Sequence, residues 1–136
     1  MTKEDVPFVF ELEKKMIGSA DESTILKTLE NEKLTYFLLC ENDDVVGFIE
    51  VFFMPPEAEL YDIVVDTKFQ GNGYSKLLMD YFISLAKENL VETIFLEVNS
   101  NNTKAMNLYT RYGFEKYGVR KNYYGNSDAV LMKLKV

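Results

Sequence analysis

Histidine and tryptophan are absent from the 136 residues, and cysteine occurs once. A lone Cys40 forms no internal disulfide, so nothing points to an oxidising compartment. At the end of an apolar run, Cys40 is expected to be a small buried hydrophobe. Without histidine there is neither a Ser-His nor a Cys-His nucleophile pair, and no His-ligated zinc is expected. Proton transfer must then use carboxylates, tyrosine, lysine or water. No apolar run approaches the roughly 18–20 residues of a membrane span. The first twenty residues carry Glu4, Asp5, Glu11, Glu13, Lys14 and Lys15 rather than the apolar core of a secretion signal. A cytoplasmic protein without a membrane partner is expected. Basic residues are in deficit, 15 against 22 acidic for a formal charge of -7. That balance disfavours nucleic acid and suits a cationic partner.

What is present reads as one globular domain over residues 1–136, with 47% hydrophobic and 27% charged residues, nine Tyr and ten Phe. No repeat or linker interrupts it. Residues 3–32 predict two helices broken near Gly18 to Asp21, with Asp21 or Ser23 capping the second. Val6, Phe10, Glu13 and Ile17 form an imperfect stripe on the first, while Ile25, Leu26 and Leu29 fit one face of the second. Tyr36 to Cys40 and Val45 to Met54 are β-branched or aromatic runs around Glu41-Asn42-Asp43-Asp44, a hairpin pattern. Pro55-Pro56 ends the second strand, and Glu59 to Asp66 reads as a third.

From Gly73 the period turns helical, with Tyr74, Leu77, Leu78, Tyr81, Phe82 and Leu85 on one stripe. A strand at Thr93 to Val98 follows. A helix over Thr103 to Tyr112 comes next, its face Ala105, Leu108, Tyr109 and Tyr112, with Gly113 as its stop. Strands near Phe114 to Arg120 and Asp128 to Lys135 close the chain. Strand, helix, strand between residues 59 and 98 is a βαβ unit with parallel strands and a right-handed crossover. The expected class is α/β, or α+β with a mixed sheet: mostly antiparallel strands, one parallel pair and helices on both faces. Ligands of such sheets sit at the carboxyl ends of the parallel strands, here near residues 64–75 and 97–103.

Gln70-Gly71-Asn72-Gly73-Tyr74-Ser75 lies where strand gives way to helix. Two glycines let the backbone approach a ligand, and free amides at a helix start favour phosphate. A tight flexible turn would carry the same spacing. Neither a P-loop nor a dinucleotide fingerprint fits, because Gly-Lys-Ser/Thr is missing and Lys76 stands where a third glycine belongs.

Gln70-x-x-Gly73-x-Ser75 resembles the Arg/Gln-x-x-Gly-x-Gly/Ala loop of the GNAT superfamily of N-acetyltransferases, with the small Ser75 in place of Gly or Ala. Ile63-Val64-Val65-Asp66 is similar to the strand that precedes it in that family. The run Leu96-Glu97-Val98, Asn102, Ala105, Leu108-Tyr109 and Gly113-Phe114 is similar to its later motif. The likeness spans about residues 35–136. Within the superfamily the chain most resembles the ribosomal-protein alanine N-acetyltransferases, through Glu97-Val98-x-x-Asn101-Asn102 and Arg120-Lys121-Asn122-Tyr123-Tyr124. Residues 16–24 do not clearly match that group's substrate-facing segment.

The resemblance implies acetyl-CoA as cosubstrate, with no metal, and an amine acceptor such as a protein N-terminus. It implies that Ile63, Val64 and Val65 pair with the pantetheine arm. Gln70, Gly71, Asn72, Gly73, Tyr74, Ser75 and Lys76 would cradle the diphosphate, and Asn102 would bond the pantetheine. Asn102 also suits a helix N-cap. Glu97 alternates away from Ile94, Leu96 and Val98. By pattern alone it is a strand glutamate on a wet face or a cleft carboxylate; the resemblance implies a general base acting through water. Tyr109 sits on an apolar stripe like any core aromatic, and the resemblance implies the acid that protonates the departing thiolate. Tyr123-Tyr124 reads as packing or as the lining of an acceptor groove.

Neutralising an α-amine at pH 7 costs on the order of 1.4 kcal/mol, against about 4.6 kcal/mol for a lysine amine, so one carboxylate with water suits the former. A small-amine acetyltransferase with the same cofactor site, or a non-catalytic acyl-CoA-binding module, are the alternative readings.

Overall fold

A six-stranded sheet in the order β1-β2-β3-β4-β6-β5 organises the chain in a computed structural model that describes all 136 residues. Helices α1 (Val6–Ile17) and α2 (Glu22–Thr28) come first, separated by Gly18 in the left-handed conformation and capped by Asp21, which accepts the Ser23 amide. Strands β1 (Leu34–Glu41) and β2 (Asp44–Met54) form a hairpin whose turn residues, Asn42 and Asp43, both have positive φ, as a two-residue turn between twisted strands requires. Strand β3 (Glu57–Val65) returns antiparallel to β2. Helix α3 (Tyr74–Glu88) then crosses to β4 (Thr93–Asn99), which runs parallel to β3. Helix α4 (Thr103–Arg111), β5 (Glu115–Arg120) and β6 (Ala129–Lys135) complete the chain, with β6 inserted antiparallel between β4 and β5. The mixed sheet with a single parallel pair is the expected one.

Alternation along the strands divides the interior into two cores. Ile49, Val51, Leu60, Ile94, Leu96 and Val98 face α3 and α4 and pack on Leu78, Met79, Phe82 and Tyr109. Phe48, Val64 and Tyr36 face the other way, onto Val6, Val9, Leu12 and Ile25 of α1 and α2. Helices therefore cover both faces.

Three local expectations shift. On α3 the inward side is Leu78, Met79, Phe82 and Ala86, so Leu77 and Tyr81 point to solvent, about half exposed at 53% and 54%. On α1 the buried residues are Val6, Val9, Leu12 and Glu13, with Ile17 exposed; on α2, Ile25 is buried while Leu26 and Leu29 are exposed. Cys40 is exposed rather than buried, because the β1–β2 register slips between Leu39 and Cys40 as the hairpin nears its turn. No helix is long and apolar enough to cross a membrane.

Candidate active site

The parallel pair is incomplete. β3 and β4 are joined only from Glu57–Thr93 to Leu60–Leu96, yet β3 continues to Val65 and β4 to Asn99. At the same point the β2–β3 register shifts: Glu50 faces Asp62 and Val51 faces Leu60, so Tyr61 is the extra residue of a bulge. A bulge bends its strand and increases its twist, which draws β3 away from β4. Past Leu60 and Leu96, the main-chain groups of the two strands that face the gap have no strand partner.

At the carboxyl end of that gap lies the glycine turn. Asp66 begins a short 3-10 turn, Thr67–Phe69, and accepts the amide of Lys68 at 3.1 Å. Gly71 and Gly73 follow with φ of +84° and +77°, and the space where either would carry a Cβ is open. The amides of Gly71, Asn72, Gly73, Tyr74, Ser75 and Lys76 donate to nothing in the protein; the α3 ladder begins when Leu77 donates to the Gly73 carbonyl. Consecutive free amides at a helix N-terminus, bare of side chains on one side, fit a diphosphate. Lys104, in the first turn of α4, stands beside this turn and donates to Gln70 Oε1 at 2.8 Å.

The side chains expected here divide into two kinds. Gln70 donates to the Val65 carbonyl at 3.0 Å, Asn72 to the Phe69 carbonyl at 3.0 Å, and Tyr74 to Glu41 at 2.6 Å. The first two brace the turn from within, and Tyr74 ties it to the end of β1. The Lys76 carbonyl accepts from Tyr112, and Asn102 caps α4 by accepting the Ala105 amide at 3.1 Å. The polar groups left free toward a ligand are thus mainly main-chain amides. Ile63, Val64 and Val65 border the gap on the β3 side.

Glu97 projects from β4 to the face opposite α3. It lies in a cleft of about 290 Å³ lined by Phe52, Met54, Glu59, Phe95, Tyr117 and Arg120 among others. Arg120 reaches it at 3.3 Å and lies over the Tyr123 ring at 5.7 Å. The Arg120–Tyr124 segment, held by Asp128 accepting the Asn122 amide at 2.8 Å, therefore folds back over Glu97. Burial and the Glu97 charge hold the Glu59 carboxyl above the usual range.

Tyr109 is 7% exposed, its ring 5.7 Å from Phe114 within the α3-side core. Burial, and secondarily the charge of Asp62, raise its phenol. It therefore stays protonated at neutral pH. The Tyr124 phenol is raised by burial first and then by Glu97, Tyr123 and Asp62. Asp62 is thus near both phenols, while Glu97 and Tyr109 approach the gap from opposite faces of the sheet.

Sequence reasoning missed an acidic row on the α1 side. Tyr36, Glu50 and Asp62 are direct cross-strand neighbours on β1, β2 and β3. Above them Glu13 of α1, itself buried, accepts from the Tyr36 hydroxyl at 2.9 Å. Burial pushes Asp62 up to about 6, with the Glu13 charge adding to it. Burial also pushes Glu50 up to about 7, with the Asp62 and Glu13 charges contributing. The available signal was a carboxylate inside each of two β-branched runs, and a glutamate that spoiled the α1 stripe.

A splayed parallel pair ending in free helix-start amides, with a carboxylate-lined cleft on the face away from α3, offers one place for an anionic group and, apart from it, a second place for another molecule. Residues 4–114 match the model of the acetyltransferase (GNAT) family, and the chain belongs to that family. It is an N-acetyltransferase. It is 37% identical over 112 residues to the [ribosomal protein bS18]-alanine N-acetyltransferase of Haemophilus influenzae, covering 79% of this chain and 76% of that one. The crystal structure of the ribosomal-protein-S18-alanine N-acetyltransferase from Escherichia coli superimposes with a TM-score of 0.92 at 28% identity, over 100% of this chain and 90% of the other. A GNAT family acetyltransferase from Elizabethkingia anophelis, solved with acetyl-CoA bound, has the same fold with a TM-score of 0.79 at 20% identity, over 93% and 90% of the two chains.

Proposed function

We propose that this protein transfers the acetyl group of acetyl-CoA to the α-amine of a protein or peptide N-terminus, with alanine first, by direct attack on the thioester. The observation that carries this reading is the junction of the β3–β4 gap with two separate sites: unpartnered amides beyond one end, and a cleft holding Glu97 on the face away from α3. The names of the relatives in Haemophilus influenzae and Escherichia coli supply the alanine acceptor. The cleft lies open along the sheet, with aromatic walls at Phe95 and Tyr117, which suits an extended peptide.

The amides of Gly71 to Lys76 hold the diphosphate, and Lys104 lies within reach of the same charge. The main chain of Ile63, Val64 and Val65 lines the pantetheine arm, with Asn102 at its flank. Acetyl-CoA supplies an acetyl group activated on sulfur. Glu97, through water, takes the proton that the α-ammonium must lose before its nitrogen can attack. Tyr109 gives a proton to the departing sulfur; its phenol, like any tyrosine's, carries that proton at neutral pH.

Incubation with acetyl-CoA and a panel of peptides and polyamines, followed by measurement of free CoA thiol, tests the proposal. Peptides beginning with alanine should release thiol. Release with spermidine and none with those peptides would assign the acceptor to the small-amine class instead.

A further inference from the structure

Asp62 occupies a position that the transferase reading leaves without a task. It is the first β3 residue beyond the Tyr61 bulge and the second beyond the last β3–β4 pair. It shares its sheet face with Tyr36 and Glu50 and borders the gap. It makes no ion pair and receives no hydrogen bond: the ion pairs of the protein are Lys15–Asp66, Arg120–Glu97 and Lys121–Asp128, and no side-chain donor or amide points at it. No buried side-chain polar atom lacks a partner, so the Asp62 oxygens keep contact with solvent, and Asp62 itself borders the gap.

A partly buried carboxylate without a cation is costly to hold, and its neighbours add to the cost. Glu13 from α1 and Glu50 from β2 are both acidic; Tyr36 from β1, Tyr109 from α4 and Tyr124 from the β5–β6 connection are neutral; Glu97 from β4 is already paired with Arg120. Nothing that faces Asp62 is positive. A cation arriving in the gap would relieve it, and the reaction brings one there, because an α-amine with a pKa of about 7.7–8.0 reaches a neutral-pH enzyme mostly as ammonium. Glu50 has similar surroundings but lies one strand further from the gap.

We propose that Asp62 receives the acceptor's ammonium group, holding the amine as a cation at the gap between β3 and β4 before Glu97 takes its proton. The proposal rests on the transferase reading above. Asp62 thereby sets a requirement for a positively charged acceptor head.

Steady-state kinetics of Asp62→Asn with an alanine-first hexapeptide provide the first test. The expected result is a KM for peptide raised tenfold or more, kcat changed less than threefold, CoA affinity unchanged, and the acid limb of kcat/KM flattened. An unchanged peptide KM with a wild-type pH profile would overturn the proposal. A measurement without mutation guards against misfolding. The Asp62 carboxyl is titrated by NMR in the wild-type protein saturated with CoA, with and without the hexapeptide. The free peptide should lower the Asp62 midpoint, and its N-acetylated form should not. Equal response to both peptides, or to neither, refutes the assignment. Amide shifts at Gly71 and Gly73 on CoA addition report separately on the cofactor site, so a failure there is distinguishable from a failure at Asp62.

Discussion

Replacing Glu50 by Gln should make the protein more stable, and increasingly so as pH rises. Glu50 sits between Tyr36 and Asp62 across the sheet, with Glu13 above; the Tyr36 hydroxyl offsets only part of the burial, and no cation pairs with it. Its carboxyl is displaced from an ordinary 4.5 to about 7. Between those values the folded state keeps a proton that the unfolded state has already released. Stability therefore falls as pH climbs through the window and is lowest above it. Taken whole, that displacement corresponds to roughly 3.4 kcal/mol. Glu50 remains in partial contact with solvent and shares its shift with Asp62, so about 1–2 kcal/mol is expected. Gln keeps the shape and removes the charge. Thermal unfolding of wild type and Glu50→Gln from pH 5 to 8.5 should show curves that nearly coincide at the acid end and separate toward pH 8. The gap there should be about 3–5 °C per kcal/mol in a chain of this length. The reasoning fails if the separation at pH 8 equals that at pH 5, since a constant gain would come from packing or propensity and not from ionisation.

Tyr109→Phe removes one oxygen from a ring packed on Phe114. It should lower kcat by about 10²-fold or more while CoA affinity, read by calorimetry, stays at wild type; equal turnover would take Tyr109 out of the mechanism. Glu97→Gln should lower kcat/KM by about 10²–10⁴-fold at pH 7. The deficit should shrink above about pH 8, where the α-amine loses its proton unaided; a deficit independent of pH would argue against a base. Gly73→Val forces a β-branched residue to φ of +77° and fills open space above the free amides. It should cost about 1–3 kcal/mol of stability and weaken acetyl-CoA binding at least tenfold, and a titration with unchanged affinity would contradict the diphosphate assignment.

The order of elements was legible because periodicity changed sharply, from alternation in Val45 to Met54 to a helical repeat after Gly73. Turn chemistry at Asn42-Asp43 and Gly73 fixed the boundaries between them. The direction of the α3 stripe was not legible. Leu77 and Tyr81 are as apolar as Leu78 and Phe82, and only the sheet beneath determines which pair turns inward. The alternation that sent Glu97 away from Ile94, Leu96 and Val98 was readable in one strand. The gap itself was not, since it arises from a bulge at Tyr61 and from pairing that stops at Leu60, both relations between strands. Asp62 and Glu50 looked like ordinary strand carboxylates, because a row across three strands appears only once register is known. The likeness carried by motifs began near residue 35, whereas the family match extends back to residue 4. The stretch before residue 35 holds Glu13, whose meaning depends on Tyr36.

The separation of the interior into two cores has an evolutionary reach. Helix α3 packs on the larger core; α1 and α2 rest on a smaller cluster of seven buried residues on the other face of the sheet. Substitutions among the apolar residues of α1 and α2 can therefore repack one face of the sheet while the core beneath α3 keeps its packing. A lineage can rebuild one face of the sheet without rebuilding the other.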